Sequence, residues 1–163
     1  MGAVTAKALC AAVMVSHSVF SPAGSTEACK DAKIVIEASE KYELDPYVLT
    51  ALIQVESNWY VNAVSPSNAC GLTQVMDVYS KYTCKELKNP RTSIFEGARV
   101  LNHWIKEYGK GDVDLGLCAY EKGFRCNKKK RRKKGLTYSE KVARLAADLK
   151  QKGENKCLSD YCF

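Results

Sequence analysis

The chain has 163 residues, 46% of them hydrophobic and 26% charged, with a net charge of +7. That length and balance suit one soluble globular domain with a single sizeable core. Lys128 to Lys134 are all Lys or Arg, seven positive charges in a row, so the rest of the chain sums to zero. A charge confined to one run argues against a generally basic nucleic-acid binder, and no aromatic residue interrupts the run to stack a base.

In chain order, the first feature is an export-like start. One early cation, Lys7, precedes an apolar stretch from Ala8 to Phe20 interrupted by His17, and small residues follow from Ser21 to Ala28. This is the order of a secretory signal, with cleavage expected after Ala23 or Ala28. The stretch is short for a membrane span; a retained amphipathic or anchoring segment is the alternative. The chain therefore divides into a signal-like segment (1–28), a domain (29–153) with a basic loop (127–135), and a cysteine-containing tail (154–163).

Residues 31–42 read as a helix through Ile34, Val35 and Ala38. Asp45 and Pro46 supply an N-cap and a first-turn proline for a helix over 46–57, where Val48, Leu49, Leu52, Ile53 and Val55 recur at helical spacing. Asn58 to Ala69 is rich in turn residues. The block Gly71 to Met76 and a short helical stretch to Tyr82 come next, then a turn at Asn89–Pro90. Ser93 to Glu96 has the form of a capping box for a helix ending at Gly109. Asp112 caps a helix to Tyr120 that Gly123 ends, and Thr137 to Glu140 is a second capping box, for a helix ending at Gly153. No strand of convincing length occurs, so the expected fold is all-α and compact.

Eight cysteines are present. Counting Cys10 with the signal leaves an odd seven, in a pattern that points to an oxidising compartment. If local pairs dominate, Cys70 joins Cys84, Cys118 joins Cys126 and Cys157 joins Cys162. Without a Cys-x-x-Cys pair and with two histidines, zinc is disfavoured; nothing in the sequence points to a metal or organic cofactor. His103 is expected on the surface and Trp104 in the core.

Glu56 is the residue with chemistry to offer. It closes the apolar helix over 46–57, and apolar surroundings favour the protonated form of a carboxyl near neutral pH. A protonated acid at a cleft wall is the tool for breaking a glycosidic bond.

Six blocks in order around it resemble the soluble lytic transglycosylase domain, a lysozyme-like group related to goose-type lysozymes. They are Glu56–Ser57; Asn62 to Ser65; Gly71 to Met76; Asn89 with Ile94 to Gly97 and Leu101; Ala119–Tyr120 with Gly123; and Tyr138 with Val142. The resemblance covers roughly residues 30–150. It implies an all-α, lysozyme-like single domain, here with disulfides, that cleaves the MurNAc–GlcNAc β-1,4 bond of peptidoglycan glycan strands. It implies Glu56 as the one catalytic carboxyl, acid and then base toward the substrate's own C6 hydroxyl, giving a 1,6-anhydromuramyl product. Carried over residue by residue, it puts Ser57, Ser65, Gln74, Tyr120, Glu121 and Tyr138 at the substrate, Ser57 as a residue that helps orient the acid. Gly71 is expected to let the backbone pass close to substrate or the catalytic helix.

Two departures stand out. The family's Ala-Tyr-Asn-Ala-Gly is Ala119-Tyr-Glu-Lys-Gly123 here, and its Gly-Leu-Met-Gln is Gly71-Leu-Thr-Gln74. Glu121 as a second carboxylate would admit water and make a hydrolytic muramidase. A non-catalytic wall-binding component of a secretion or conjugation apparatus, or of a virion, is the reading from another class. The location implied is the periplasm or cell envelope, or a virion. The basic loop suits an anionic polymer or a membrane surface, and no specific nucleic acid is implied.

Overall fold

The computed structural model describes residues 4–126 and 137–159, with 156–159 described by backbone alone. The basic run, Cys162 and the side chain of Cys157 lie outside the described residues, and so does the expected Cys157–Cys162 pair.

Seven α-helices are described: α1 (Ala6–Met14), α2 (Pro22–Lys41), α3 (Pro46–Ser57), α4 (Cys84–Leu87), α5 (Pro90–His103), α6 (Val113–Lys122) and α7 (Tyr138–Ser159). Two strands of two residues, β1 (Ala69–Cys70) and β2 (Val75–Met76), pair antiparallel with Ala69 opposite Met76. The fold is mostly helical and forms one domain, as the spacing of helix signals implied.

α3 is the central helix. Asp45 accepts the Tyr47 N–H at 2.8 Å, and Pro46 opens the first turn. Leu49, Ala51, Leu52 and Ile53 have no exposed surface, so this helix is enclosed over its middle turns. It packs on α2 and α7. On α2, Ala28, Ala32, Val35 and Ala38 form an apolar stripe at helical spacing, its small alanines allowing close approach. Leu101 of α5, Leu117 of α6 and Leu149 of α7 close the same core.

The stretch read as an export signal is built into this core. α1 packs between α2 and α7, and Leu9, Ala12 and Val13 are at most 1% exposed. Thr5 caps it by accepting the Ala8 N–H at 3.1 Å. Cys10 is bonded to Cys29, a pair the sequence reading missed because it counted Cys10 with the leader. The expected cleavage positions, Ala23 and Ala28, lie inside α2. That helix starts nine residues before the expected 31, with Ser21 as N-cap and Pro22 in its first turn. The Cys70–Cys84 and Cys118–Cys126 pairs are as expected, and no described cysteine is free.

Two other boundaries differ from expectation. Asn89–Pro90 starts a helix instead of making a turn: Asn89 accepts the Thr92 N–H at 3.1 Å as the N-cap of α5. Ser93 therefore sits inside that helix and is no cap. Gly153 does not end α7, which runs on to Ser159. A Cβ at Gly153 would fall 2.4 Å from the Tyr47 hydroxyl, so glycine serves a close helix crossing there. Among the described residues no helix is long and apolar enough to cross a membrane.

Replacing Cys10 and Cys29 together by serine is expected to lower stability by about 3 kcal/mol, since the bridge closes a loop of about 20 residues. Deleting residues 1–28 removes Leu9, Val13 and Phe20 from the core and is expected to abolish cooperative unfolding. Urea titrations followed by circular dichroism check both.

Candidate active site

Glu56 lies in the last turn of α3, where the helix emerges from the core. Asn58 (φ 51°) and Trp59 (φ 61°) are both left-handed, so the chain turns sharply away and leaves the glutamate at the helix end. Asn58 is fixed by an N–H donated to the Gln54 carbonyl and by the Gln54 amide, which donates to its Oδ1 at 2.7 Å. Two successive non-glycine residues in this region are costly and persist only where the surroundings hold them. Trp59, 3% exposed in the core, is part of that hold.

Burial pushes the Glu56 carboxyl up to about 7, and the nearby charge of Glu121 adds to the rise; the Tyr138 hydroxyl, donating to Glu56 Oε1 at 2.5 Å, works in the opposite direction. The acid is therefore substantially protonated at neutral pH. A second glutamate, more deeply buried, shows what a cation changes. Glu96, 2% exposed, takes both Arg99 Nε (2.9 Å) and Nη2 (2.8 Å) and the Ser80 hydroxyl (2.7 Å). Burial raises it too, but the Arg99 fork and Ser80 outweigh burial and hold it below the ordinary range. Opposite environments thus leave Glu96 charged and structural, and Glu56 available as an acid.

Tyr120 and Tyr138 arrive from α6 and α7. Both phenols are held well above their usual range, by burial first and then by the Glu56 carboxylate. Tyr138 reaches the acid directly. Tyr120 instead donates to the Thr73 carbonyl at 2.7 Å. Asp112 fixes the start of α6 by accepting the Leu115 N–H at 3.0 Å, and Thr137 with Glu140 forms the expected capping box on α7.

The remaining expected residues divide. Glu121 is exposed, 3.4 Å from Lys122, and its charge is felt at Glu56 and at Tyr138. Gln74 has φ 51°, and its Nε2 donates to the carbonyls of Gly71 (2.9 Å) and Ala63 (3.2 Å). Ser57 is buried and donates back to the Ile53 carbonyl at 3.2 Å, with no bond to the acid it was expected to orient. Ser65 accepts the Ala69 N–H at 3.0 Å and pairs with Ser67, so its hydroxyl holds the loop before β1. Gly71 (φ 73°) makes its close approach at the Leu87 carbonyl, 1.9 Å from a Cβ placed there, and not at α3.

The Thr73 departure has a structural partner that sequence reasoning missed. Thr73 is fully buried; its hydroxyl donates to the Ser93 carbonyl at 2.8 Å and lies 3.1 Å from the Ser93 hydroxyl, over Gly97. It is a core strut between the Gln74 loop and α5, and its own carbonyl accepts the Tyr120 hydroxyl. The signal was a hydroxyl at an expected apolar position, which needs a buried partner. Trp104, expected in the core, is only half-buried and packs edge-to-face on Tyr108 and Phe124; His103 is exposed as expected.

Compared with protein families, residues 33–142 match the Transglycosylase SLT domain. The chain belongs to that family. In this SLT domain the matched span runs from α2 into α7 and includes every residue placed at the site, while α1 and the rest of α7 lie outside it. Members are typically lytic transglycosylases acting on peptidoglycan, and a half-buried glutamate raised to about 7 with a tyrosine hydroxyl on its carboxyl fits that activity.

Two predictions follow from Glu56 as the domain holds it. In the unfolded chain it titrates near 4.5 and in the fold near 7. Below 4.5 both states are protonated and the stability is fully present; it is lost as pH rises through 7, because the buried carboxyl must ionise. Glu56→Gln is therefore expected to be more stable than wild type at pH 8, by on the order of 2 kcal/mol, and to lose that advantage below pH 4.5. Urea titration at the two pH values reads it. Tyr138→Phe removes the bond that favours the carboxylate, so the alkaline limb of the pH–rate profile moves up while kcat falls about tenfold.

Proposed function

We propose that this SLT domain cleaves the MurNAc–GlcNAc β-1,4 bond and leaves a 1,6-anhydromuramyl end, with Glu56 as sole acid and base. The observation that carries the reading is a glutamate poised near pH 7 at the end of a buried helix, with a tyrosine hydroxyl on its carboxyl. Glu56 gives its proton to the glycosidic oxygen as the C1–O bond breaks. The muramyl C6 hydroxyl then bonds to C1 and returns its proton to the Glu56 carboxylate, so the acid is regenerated and no water is consumed. Tyr138 steadies the carboxylate during the interval in which it is charged.

Gln74, with its Nε2 engaged by two carbonyls, offers its Oε1 to a sugar hydroxyl or N-acetyl N–H. Tyr120 walls the site, and Ser57 and Ser65 shape it through the helix end and the loop they hold. Glu121 takes the place of the family asparagine as an acceptor for the glycan. Glu121 also supports a second reading, since its charge reaches Glu56: a carboxylate there that ordered a water would give hydrolysis and reducing ends.

The disulfides suit an oxidising location outside the cytoplasm, and the periplasm or cell envelope, or a virion, is where such an activity meets its substrate. Opening the wall for a secretion or conjugation apparatus, or for a virion, is the use that fits a domain of this size. The working form we propose keeps residues 6–28, because α1 and Cys10 brace the domain that holds Glu56. N-terminal sequencing of the exported protein tests this: a start at Gly24 or Cys29 would sink it.

Digestion of purified sacculi, with products resolved by mass, tests the chemistry. Wild type is expected to release anhydro-muropeptides, and Glu56→Gln to lose at least about a thousandfold in rate. Glu121→Gln is expected to keep the anhydro product. Reducing ends from wild type that disappear in Glu121→Gln would establish the hydrolytic reading instead. Retained activity in Glu56→Gln would overturn both.

A further inference from the structure

Thr73 stands where the family carries a methionine, and it joins α5 to a residue of the site. Neither Thr73 nor Ser93 of α5 has any exposed surface. Three contacts link the pair. The Thr73 N–H donates to the Ser93 hydroxyl at 3.2 Å, the Thr73 hydroxyl donates to the Ser93 carbonyl at 2.8 Å, and the two hydroxyls lie 3.1 Å apart. Helix α5 is shaped to receive them: a Cβ at Gly97, one turn on from Ser93, would fall 2.4 Å from the Thr73 Cβ and Cγ2. A buried polar pair of this kind fixes one arrangement, because any slip strands a donor or an acceptor away from water.

What this strut fixes separates from what is held by other means. Gln74 has its own ties: its Nε2 donates to the carbonyls of Gly71 (2.9 Å) and Ala63 (3.2 Å), and its N–H to the Gly71 carbonyl at 3.3 Å. Tyr138 arrives from α7 and reaches Glu56 directly. Tyr120 is different, because its hydroxyl donates to the Thr73 carbonyl at 2.7 Å. The Thr73 residue is itself pinned to Ser93 through both N–H and side chain, so the Tyr120 hydroxyl is placed with reference to α5. That placement matters to the acid, since the Tyr120 phenol feels the Glu56 carboxylate.

We propose that Thr73 is a positioning residue for the cleavage reaction, a role that rests on Glu56 being the acid. By fixing its own carbonyl against α5, Thr73 commits the Tyr120 hydroxyl to the backbone and holds that ring in place as a wall of the site. A phenol has one proton to donate; with that of Tyr120 committed, Tyr138 is the tyrosine that donates to Glu56.

The full chain is compared as wild type, Thr73→Val, Thr73→Ser and Ser93→Ala, each below its own melting temperature. One readout is the slowly exchanging Tyr120 hydroxyl proton by nuclear magnetic resonance, identified by its absence from Tyr120→Phe. The other is kcat/KM on soluble peptidoglycan glycan strands. Thr73→Val is expected to lose or shift the resonance and to lower kcat/KM about tenfold, while Thr73→Ser keeps the hydroxyl and with it both readouts. Ser93→Ala is expected to move both the same way and by less, since its carbonyl still accepts the Thr73 hydroxyl; it carries the test if Thr73→Val does not fold. In a Tyr120→Phe background, Thr73→Val is expected to cost little more, because the hydroxyl it places is already gone. The proposal is overturned by an unmoved Tyr120 resonance in Thr73→Val, by no such resonance in wild type, or by the full loss persisting in the Tyr120→Phe background. If Glu56→Gln kept its activity, the reading of Glu56 would fail, and the Tyr120 resonance would still decide whether Thr73 places that hydroxyl.

Discussion

The cost of placing a carboxyl where water is scarce, with no cation among the described residues to meet it, is the constraint around which this domain is arranged. α3 is enclosed over its middle turns, and Glu56 sits where that enclosure ends. Burial alone moves the group toward neutrality, and the charged neighbour it feels is another carboxylate. The tyrosine bond limits the rise and so leaves the group poised between acid and base. Without Tyr138 the acid would be held more firmly protonated; with an arginine beside it, as Glu96 has Arg99, it would be ionised and lost to acid chemistry.

The rest of the structure serves to hold that arrangement open on one side. Three segments distant in sequence meet at the helix end: the loop with Gln74, α6 with Tyr120 and α7 with Tyr138. They are tied by the Thr73 carbonyl to Tyr120, by Thr73 to Ser93, and by disulfides that start beside two of the blocks, at Cys70 and Cys118. Polar atoms in this region are consumed by the scaffold. Ser57 and Ser65 spend their hydroxyls on backbone, so rigidity and not direct contact is what they contribute.

The N-terminal segment shows how one pattern can serve two readings. An apolar run after a cation, followed by small residues, describes a signal peptide, and it equally describes a short buried helix followed by the start of another. In the described fold the run covers a surface that α7 and α2 present, and Cys10 reaches Cys29 across it.

Local chemistry alone determined much of this protein. Caps at Asp45, Asp112 and Thr137 set three helix starts, because an unpaired N–H is satisfied by the nearest side chain. The periodicity of 46–57 put Glu56 at the end of an apolar helix, and six ordered blocks identified the family and with it Tyr120 and Tyr138. Where two local signals competed, tertiary contact decided. Asn89 and not Ser93 caps α5, and the Ser93 hydroxyl and carbonyl meet Thr73 instead, while Gly153 serves a helix crossing instead of a helix end. Likewise, only packing revealed that Cys10 meets Cys29, that Thr73 is a buried strut and that Trp104 is only half-buried. The state of Glu56 itself also rests on tertiary structure: spacing shows which residue ends the helix, but desolvation and the reach of Tyr138 depend on segments that meet only in the fold.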